Sequence, residues 1–347
     1  MWNTTDYQAV DEVTDDPYAV SDGVRILHAT MIAILGTTGA IGNFMVILSI
    51  ATTPDLRTSH NLLILNLSTA DFLFSIIIDS LYCTSVALNR WPFGPAECRL
   101  SVKASLLLLG VSTTTLATVA INRFILISKP HAYDKFCSRS KTIASIVLMW
   151  VLAFVVVFLI SELTVHFVTN YNPVFGCCSL DPLDPDTQVF VTILIVLVIF
   201  TAFLMITTLY CLMFHAIRAS KRRVRAVQVT VPNTAENNDL SQADSSGGRP
   251  VGEPRPPERT ISKEEISMAK MSFLVTVLFV VCWLPQSITY IFGWKHSVLL
   301  LRTGRFNFFL IILGPALNPF IYAWMNAKVR KACLRLVRCQ SCIHGTA

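Results

Sequence analysis

Asp71 and Arg123 are charged residues that lie inside two different long apolar stretches of the sequence. A charged side chain at membrane depth is costly and marks a functional site by default. Asp71 falls near the middle of its stretch, so it is either a functional carboxylate or a protonated acid satisfied by Asn43 and neighbouring hydroxyls. Arg123 lies at the end of its stretch, where it either binds a partner or snorkels to lipid headgroups.

These residues favour ionic and hydrogen-bond switching over covalent chemistry. No group of His, Cys and Asp residues in the sequence has the spacing of a metal site or an activated nucleophile. We therefore expect that the protein is not an enzyme.

The helix that carries Arg123 begins near Cys98. At about 1.5 Å per residue this segment is roughly 37 Å long, which exceeds the ~30 Å core of a bilayer, so its two ends lie at opposite membrane faces. Residues spaced three or four apart form one stripe along it: Ser105, Leu109, Ser112, Leu116, Val119 and Arg123. A mostly apolar helix with one hydroxyl stripe is expected at the centre of a bundle.

The composition indicates a membrane protein, because 53% of the 347 residues are hydrophobic and only 14% are charged. Seven apolar runs are long enough to cross a bilayer. We number them spans 1 to 7, at residues 26–51, 62–87, 98–127, 142–165, 188–216, 267–292 and 304–325. The predicted fold is an all-α membrane protein, a seven-transmembrane helix bundle.

The charge distribution predicts the orientation. Lys and Arg cluster after spans 1, 3, 5 and 7, whereas acidic residues crowd the amino-terminal tail and the loop after span 4. The positive-inside rule then gives an extracellular N-terminus and a cytoplasmic C-terminus. The net charge of +6 thus reflects membrane topology and does not indicate nucleic-acid binding.

This orientation divides the chain. Residues 1–25 are predicted to form an extracellular tail, 26–325 the bundle, with a flexible third cytoplasmic loop at 219–264, and 326–347 an amphipathic helix 8 with a short tail. The expected location is the plasma membrane.

Several covalent features follow from the same topology. Asn3 begins an extracellular glycosylation sequon. Cys98 is predicted to form a disulfide with Cys177 or with Cys178, and the sequence does not distinguish the two. The palmitoylation candidates lie in the carboxyl-terminal segment: Cys333, Cys339 and Cys342.

The order of several short motifs resembles that of a rhodopsin-like (class A) G protein-coupled receptor, from about residue 26 to 340. The motifs are Gly42-Asn43, Leu67-Ser68-Thr69-Ala70-Asp71, Cys98, Asn122-Arg123-Phe124, Trp150, Cys282-Trp283-Leu284-Pro285 and Asn318-Pro319-Phe320-Ile321-Tyr322. The Asn-Arg-aromatic motif and the amino-acid sequence of span 3 suggest the branch of this family that contains melatonin receptors, the medium-chain fatty-acid receptor and Moody-like orphan receptors.

This resemblance implies a role for each polar residue in the bundle and for the prolines that interrupt spans 6 and 7. Glu265 would hold Arg123 in the inactive state, and Arg123 would contact a heterotrimeric G protein after activation. Arrestin and receptor kinases are the further implied partners. The remaining implied groups are a polar core or sodium site of Asn43, Asp71, Ser112 and Asn318, an activation switch of Phe279, Trp283, Pro285 and Pro319, and a water-bridged pair of Tyr210 and Tyr322.

Two departures from the family pattern change these expectations. Asn122 replaces the usual acid before Arg123, so Arg123 is expected to depend on Glu265, basal activity is expected, and Glu265→Ala should raise it. Gly314 occupies a place where many relatives have a sodium-coordinating asparagine, which argues against a bound sodium ion. No other cofactor is expected.

The implied ligand pocket is apolar with a few neutral polar groups, which favours a lipid or small neutral ligand, with a peptide as the alternative. Asp79 is expected near headgroup level, where Glu162 could join it in contacting a peptide. The ligand-binding candidates are Asp79, Ser105, Leu109, Gln286, Ser287, Tyr290 and Phe308.

Two other membrane classes fit the sequence less well. A transporter should show matching helix breaks in two halves, but the breaks lie only in spans 6 and 7. A retinal-linked pump needs a lysine in the last span, and residues 304–325 contain none.

Overall fold

The computed structural model describes residues 21–164, 168–173, 175–180, 184–230, 261–296 and 303–338. Six of its helices are long and apolar enough to cross a membrane, and span 5 contains the shorter apolar helix Phe203–Ala219. The spans occupy Asp22–Thr52, Ser59–Leu88, Pro95–Ser128, 139–164, 185–230, Lys263–His296 and Gly304–Met325. The prediction of a seven-transmembrane bundle is confirmed. Asn3, Cys339 and Cys342 lie outside the described residues.

Span 3 is the central helix, because it packs against spans 2, 4, 5 and 6. The inner part of its predicted stripe is buried, from Ser112 through Leu116 and Val119 to Arg123. On another face Thr114 is exposed and Thr118 half-buried, and each donates its hydroxyl to a carbonyl one turn earlier. The stripe therefore faces the bundle, as its spacing predicted.

Local side-chain caps define where several helices begin. Thr58 Oγ1 accepts from the backbone N–H of Asn61 at the start of span 2, and Asp184 caps the start of span 5. Span 6 begins with a reciprocal capping box in which Ser262 and Glu265 each bond the other's backbone N–H, at 2.9 and 3.1 Å. Such caps satisfy N–H groups that the first helical turn leaves without partners.

Three spans contain a π-helical segment in the half nearer the hairpin described below. The segments are Phe74–Asp79 in span 2, Val155–Ile160 in span 4 and Ile195–Phe200 in span 5. A π-segment widens the helix locally and turns the residues that follow it, and such segments are frequent at functional sites.

Spans 1 and 7 are joined at a proline. Pro319 has no N–H, so the carbonyl of Pro315 one turn earlier loses its helical partner. Asn43 Nδ2 donates to that carbonyl at 2.9 Å. A methyl group on Gly42 would lie 2.8 Å from Pro319 Cγ, so only glycine allows this close approach.

A short hairpin of strands β1 (Thr169–Asn172) and β2 (Cys177–Leu180) follows span 4. Cys98 at the start of span 3 forms a disulfide with Cys178, which decides between the two pairings that the sequence allowed. Cys177 keeps a buried thiol whose pKa is raised by burial, so it stays neutral.

The carboxyl-terminal helix Ala327–Val337 starts at Asn326, whose side chain accepts from the N–H groups of Lys328 and Val329. The thiol of Cys333 points towards span 1 and lies 3.1 Å from Ser49 Oγ. This inward direction disfavours Cys333 as a palmitoylation site, because a lipidated sulfur must reach the bilayer.

We expect Asn43→Ala to destabilise the protein by about 1–3 kcal/mol, because it leaves the buried Pro315 carbonyl without a donor. Thermal unfolding in detergent measures the loss. Thr38→Ala is the matched control, since the hydroxyl of the half-buried Thr38 donates to a carbonyl of its own helix. Equal melting temperatures for the two variants would contradict this account of the span 1 to span 7 contact.

Candidate functional site

A cavity of about 390 Å³ lies within the bundle, beside the hairpin. All seven predicted ligand-binding candidates line it, so the structure brings them together from spans 2, 3, 6 and 7. Most of the other lining side chains are aliphatic or aromatic. A cavity of this size and composition suits one small, largely apolar ligand.

Strand β2 also lines the cavity, which sequence reasoning missed. Cys177, Cys178, Ser179 and Leu180 all border it. The adjacent Phe175 is fully buried and packs on Phe308, with ring centres 5.4 Å apart. The predicted disulfide could have indicated this contact. A covalent bond from the loop after span 4 to the start of span 3 places that loop at the end of the bundle, next to the cavity.

Asp79 lies inside the bundle. Its side chain is only 2% exposed and lies against span 1, where a methyl group on Gly36 would come within 3.0 Å of Asp79 Cβ. Asp79 is the last residue of the π-segment in span 2. The carboxyl therefore lies inside the protein at the cavity wall.

Trp283 separates this cavity from a second, smaller one and lines both. Its ring centre lies 6.0 Å from that of Phe279 and 6.4 Å from that of Phe74. Trp283 precedes Pro285, which lies inside the span 6 helix and interrupts its hydrogen bonding. A ligand that contacts Trp283 therefore contacts span 6 next to the position where its backbone hydrogen bonding is interrupted.

The smaller cavity measures about 20 Å³, room for about one water molecule. Asn318 Nδ2 donates to Asp71 Oδ2 at 2.7 Å, and Ser112 also lines the space. Asn43, predicted in the same group, is used elsewhere because its amide binds the carbonyls of Gly39 and Pro315. Of the four residues expected in the polar core, Asp71, Ser112 and Asn318 thus line one small cavity, whereas Asn43 bonds the backbone of span 7.

The small cavity does not fit a sodium ion well. Asp71 and Ser112 supply oxygen atoms, but Asn318 presents its donating nitrogen to Asp71 and Gly314 has no side chain to contribute. Hard cations need several oxygen ligands. The described residues contain no group of three or more His, Cys, Asp or Glu side chains placed to hold a metal.

At the end of span 3 far from the hairpin, Arg123 is 2% exposed and its partners differ from the expected one. Its Nε donates to Nδ1 of His60 at 3.1 Å, and its Nη2 lies 3.6 Å from the sulfur of Met268 on span 6. Across the ranges that the structure describes, no ion pair joins Arg123 to Glu265. The Glu265 carboxylate instead accepts from the backbone N–H of Ser262.

Asn122 does not replace the missing acid as a partner of Arg123. Its side chain exchanges hydrogen bonds with the hydroxyl of Tyr133 in the loop between spans 3 and 4, at 3.3 and 3.4 Å. Burial raises the pKa of this hydroxyl, so Tyr133 stays neutral.

The two tyrosines of the predicted activation pair are buried but are not bonded to each other in the part of the chain that the structure describes. Tyr210 packs edge-on against Phe273, with ring centres 5.2 Å apart. Tyr322 is 1% exposed. Their expected water-bridged contact belongs to the active state and stays a prediction.

The sequence profile of the family described as 7 transmembrane receptor (rhodopsin family) matches residues 42–322. The chain belongs to this family. It is similar to melanopsin of Felis catus, with 28% identity over 94% of this chain and 64% of that protein, and to a melanopsin-like protein of Danio rerio, with 27% identity over 92% and 59%. Squid rhodopsin shares the fold, with a TM-score of 0.75 and 20% identity over 95% of this chain and 91% of that chain.

The chain spans about three fifths of the length of these curated relatives. They are melanopsins, so they do not support the narrower branch around melatonin and Moody-like receptors, which stays a prediction. The membership confirms the expectation of a class A receptor and not an enzyme.

We expect Cys98→Ser to lower stability by about 2–4 kcal/mol, because it frees the hairpin from span 3 and leaves no bridge across the cavity. Thermal unfolding of the purified receptor, with peptide mapping under non-reducing conditions, measures both effects. Cys177→Ser is the matched control and should keep the Cys98–Cys178 bridge and most of the stability. A Cys98–Cys177 peptide in the wild-type map would contradict the assignment.

Proposed function

We propose that this protein is a plasma-membrane receptor that binds an extracellular ligand in the 390 Å³ cavity and activates heterotrimeric G proteins at its cytoplasmic face. Arrestin and receptor kinases are its further proposed partners. One observation carries the proposal: the same helix, span 3, carries both Leu109, which lines the cavity, and the buried Arg123. The two residues are about 21 Å apart along the helix axis. Family membership supports the same function.

The proposed mechanism couples the two ends through span 6. Ligand contact at Trp283 favours a different packing of Trp283 and Phe279 and a different bend at Pro285. The cytoplasmic end of span 6 then moves and separates Met268 from Arg123, which opens a site for the G protein. A ligand drives this change only to the extent that it binds the open conformation more tightly.

The cavity supports a lipid or a small neutral molecule as the ligand. Its polar candidates other than Asp79 are neutral: Ser105, Gln286, Ser287 and Tyr290. A peptide is less well supported than the sequence suggested. Asp79 is buried, and Glu162 forms an ion pair with Lys103, so neither acid is positioned to attract a charged peptide from outside.

Similarity to melanopsins makes a retinal-linked light receptor the second candidate. Retinal held as a Schiff base requires a lysine amine at the ligand cavity. Span 7, Gly304–Met325, contains no lysine, and no lysine is among the described residues that line the cavity. The residues present do not fit a covalently bound retinal, so a diffusible ligand is the better supported function.

Arg123→Ala should abolish both basal and ligand-stimulated G protein activation, because the guanidinium is the group proposed to meet the G protein. A panel of G protein dissociation sensors in cells measures this. Arg90→Ala, an exposed arginine at the opposite end of the bundle, is the matched control and should signal normally at equal surface expression. Basal coupling that survives Arg123→Ala would refute the proposal and favour a transporter.

A further inference from the structure

His60 is the only side chain among the described residues whose nitrogen or oxygen atom accepts a hydrogen bond from Arg123. The imidazole is 3% exposed and approaches Arg123 from span 2, whereas Met268 approaches it from span 6. Both contacts are with uncharged groups. A guanidinium at this depth therefore depends on a neutral acceptor.

Local structure fixes the imidazole in its accepting form. Nδ1 of His60 receives the Arg123 N–H, so a neutral ring carries its proton on Nε2. His60 is the second residue of the span 2 helix, where the positive end of the helix dipole disfavours a charged histidine. The nearby guanidinium disfavours that charge as well.

Two further contacts hold this end of span 2 in place. Thr58 caps the helix, and Ser59 Oγ donates to the carbonyl of Cys137 at 2.7 Å. Tyr133 in the same loop binds Asn122, next to Arg123. The loop between spans 3 and 4 is thus attached on both sides of the His60–Arg123 contact.

Asn122 and Glu265, the two residues whose side chains were considered as partners of Arg123, form other hydrogen bonds. Asn122 bonds Tyr133, and Glu265 bonds the backbone of Ser262. We infer that His60 is the positioning residue that holds Arg123 in the resting conformation of this receptor, in place of a carboxylate. The inference rests on the proposed G protein coupling and names the regulation of that same site.

The test compares His60→Leu with His60→Asn. The two replacements have the same branched shape, but only Asn carries an oxygen that can lie where Nδ1 lies and accept from Arg123. We expect His60→Leu to raise basal G protein activation about tenfold, which corresponds to about 1.4 kcal/mol, and His60→Asn to stay near the wild-type level. The readout is the same sensor panel, with values normalised to surface expression.

Two controls separate this contact from other causes. Glu265→Gln removes the charge but keeps an acceptor for Ser262, so it should raise basal activation less than His60→Leu does. Adding Arg123→Ala to His60→Leu should abolish the increase. Purified His60→Leu and His60→Asn should both unfold cooperatively, with His60→Leu the less stable of the two, because it leaves the buried Arg123 N–H without an acceptor.

The possible failures are distinguishable. If wild-type coupling depends on Arg123 but His60→Leu and His60→Asn give equal basal activation, the inference is wrong and the proposed function stands. If Glu265→Gln exceeds His60→Leu, the acidic residue controls Arg123 and the inference is also wrong. If no variant activates any G protein, with or without Arg123, the proposed function fails and the inference fails with it.

Discussion

A guanidinium buried beside neutral groups constrains the whole cytoplasmic half of this receptor. Arg123 cannot lose its proton in practice, so its charge must be stabilised by whatever surrounds it. A hydrogen bond to a charged donor stabilises more than one between neutral groups, yet it replaces only part of the hydration that burial removes. The ends of spans 2 and 6 must therefore stay close to Arg123, or water and another protein must take their place.

Two interrupted helices also shape the bundle. Pro319 leaves a carbonyl that only Asn43 satisfies among the described residues, which ties the bend of span 7 to span 1. Pro285 interrupts span 6 beside Trp283, at the floor of the large cavity. A helix with a missing hydrogen bond bends at lower cost than a regular one. The large cavity thus lies beside the interruption in span 6, which is where the proposed mechanism places the bend.

Much of this architecture could be predicted from the sequence, because it depends on local pattern. Apolar run lengths predicted the spans, a spacing of three to four residues predicted the buried stripe of span 3, and motif order predicted the Asp71–Asn318 contact. The choice of Cys178 over Cys177 could not be predicted. Adjacent strand residues point to opposite faces, and which face meets span 3 depends on how the hairpin docks.

The other errors have similar causes. Regular helical spacing does not anticipate a π-segment, and one inserted residue turns every later side chain by about 100°, so the sequence could not predict that Asp79 faces span 1. Asn43 was assigned to the polar core by family resemblance, although the missing N–H of Pro319 identifies the Pro315 carbonyl as a group in need of a donor. The partner of Arg123 depends on where span 2 begins, and element boundaries are hard to locate in sequence.

The difference between an imidazole and a carboxylate matters most for how the resting state ends. Attraction between opposite charges falls off slowly with distance, so a carboxylate would still favour the closed arrangement after a separation of several ångströms. A hydrogen bond to a neutral nitrogen is nearly lost once donor and acceptor move about 1 Å beyond contact. A resting state held by His60 is therefore short-ranged. A small displacement of span 2 or span 6 suffices to free the guanidinium, and little residual attraction then opposes the entry of a G protein.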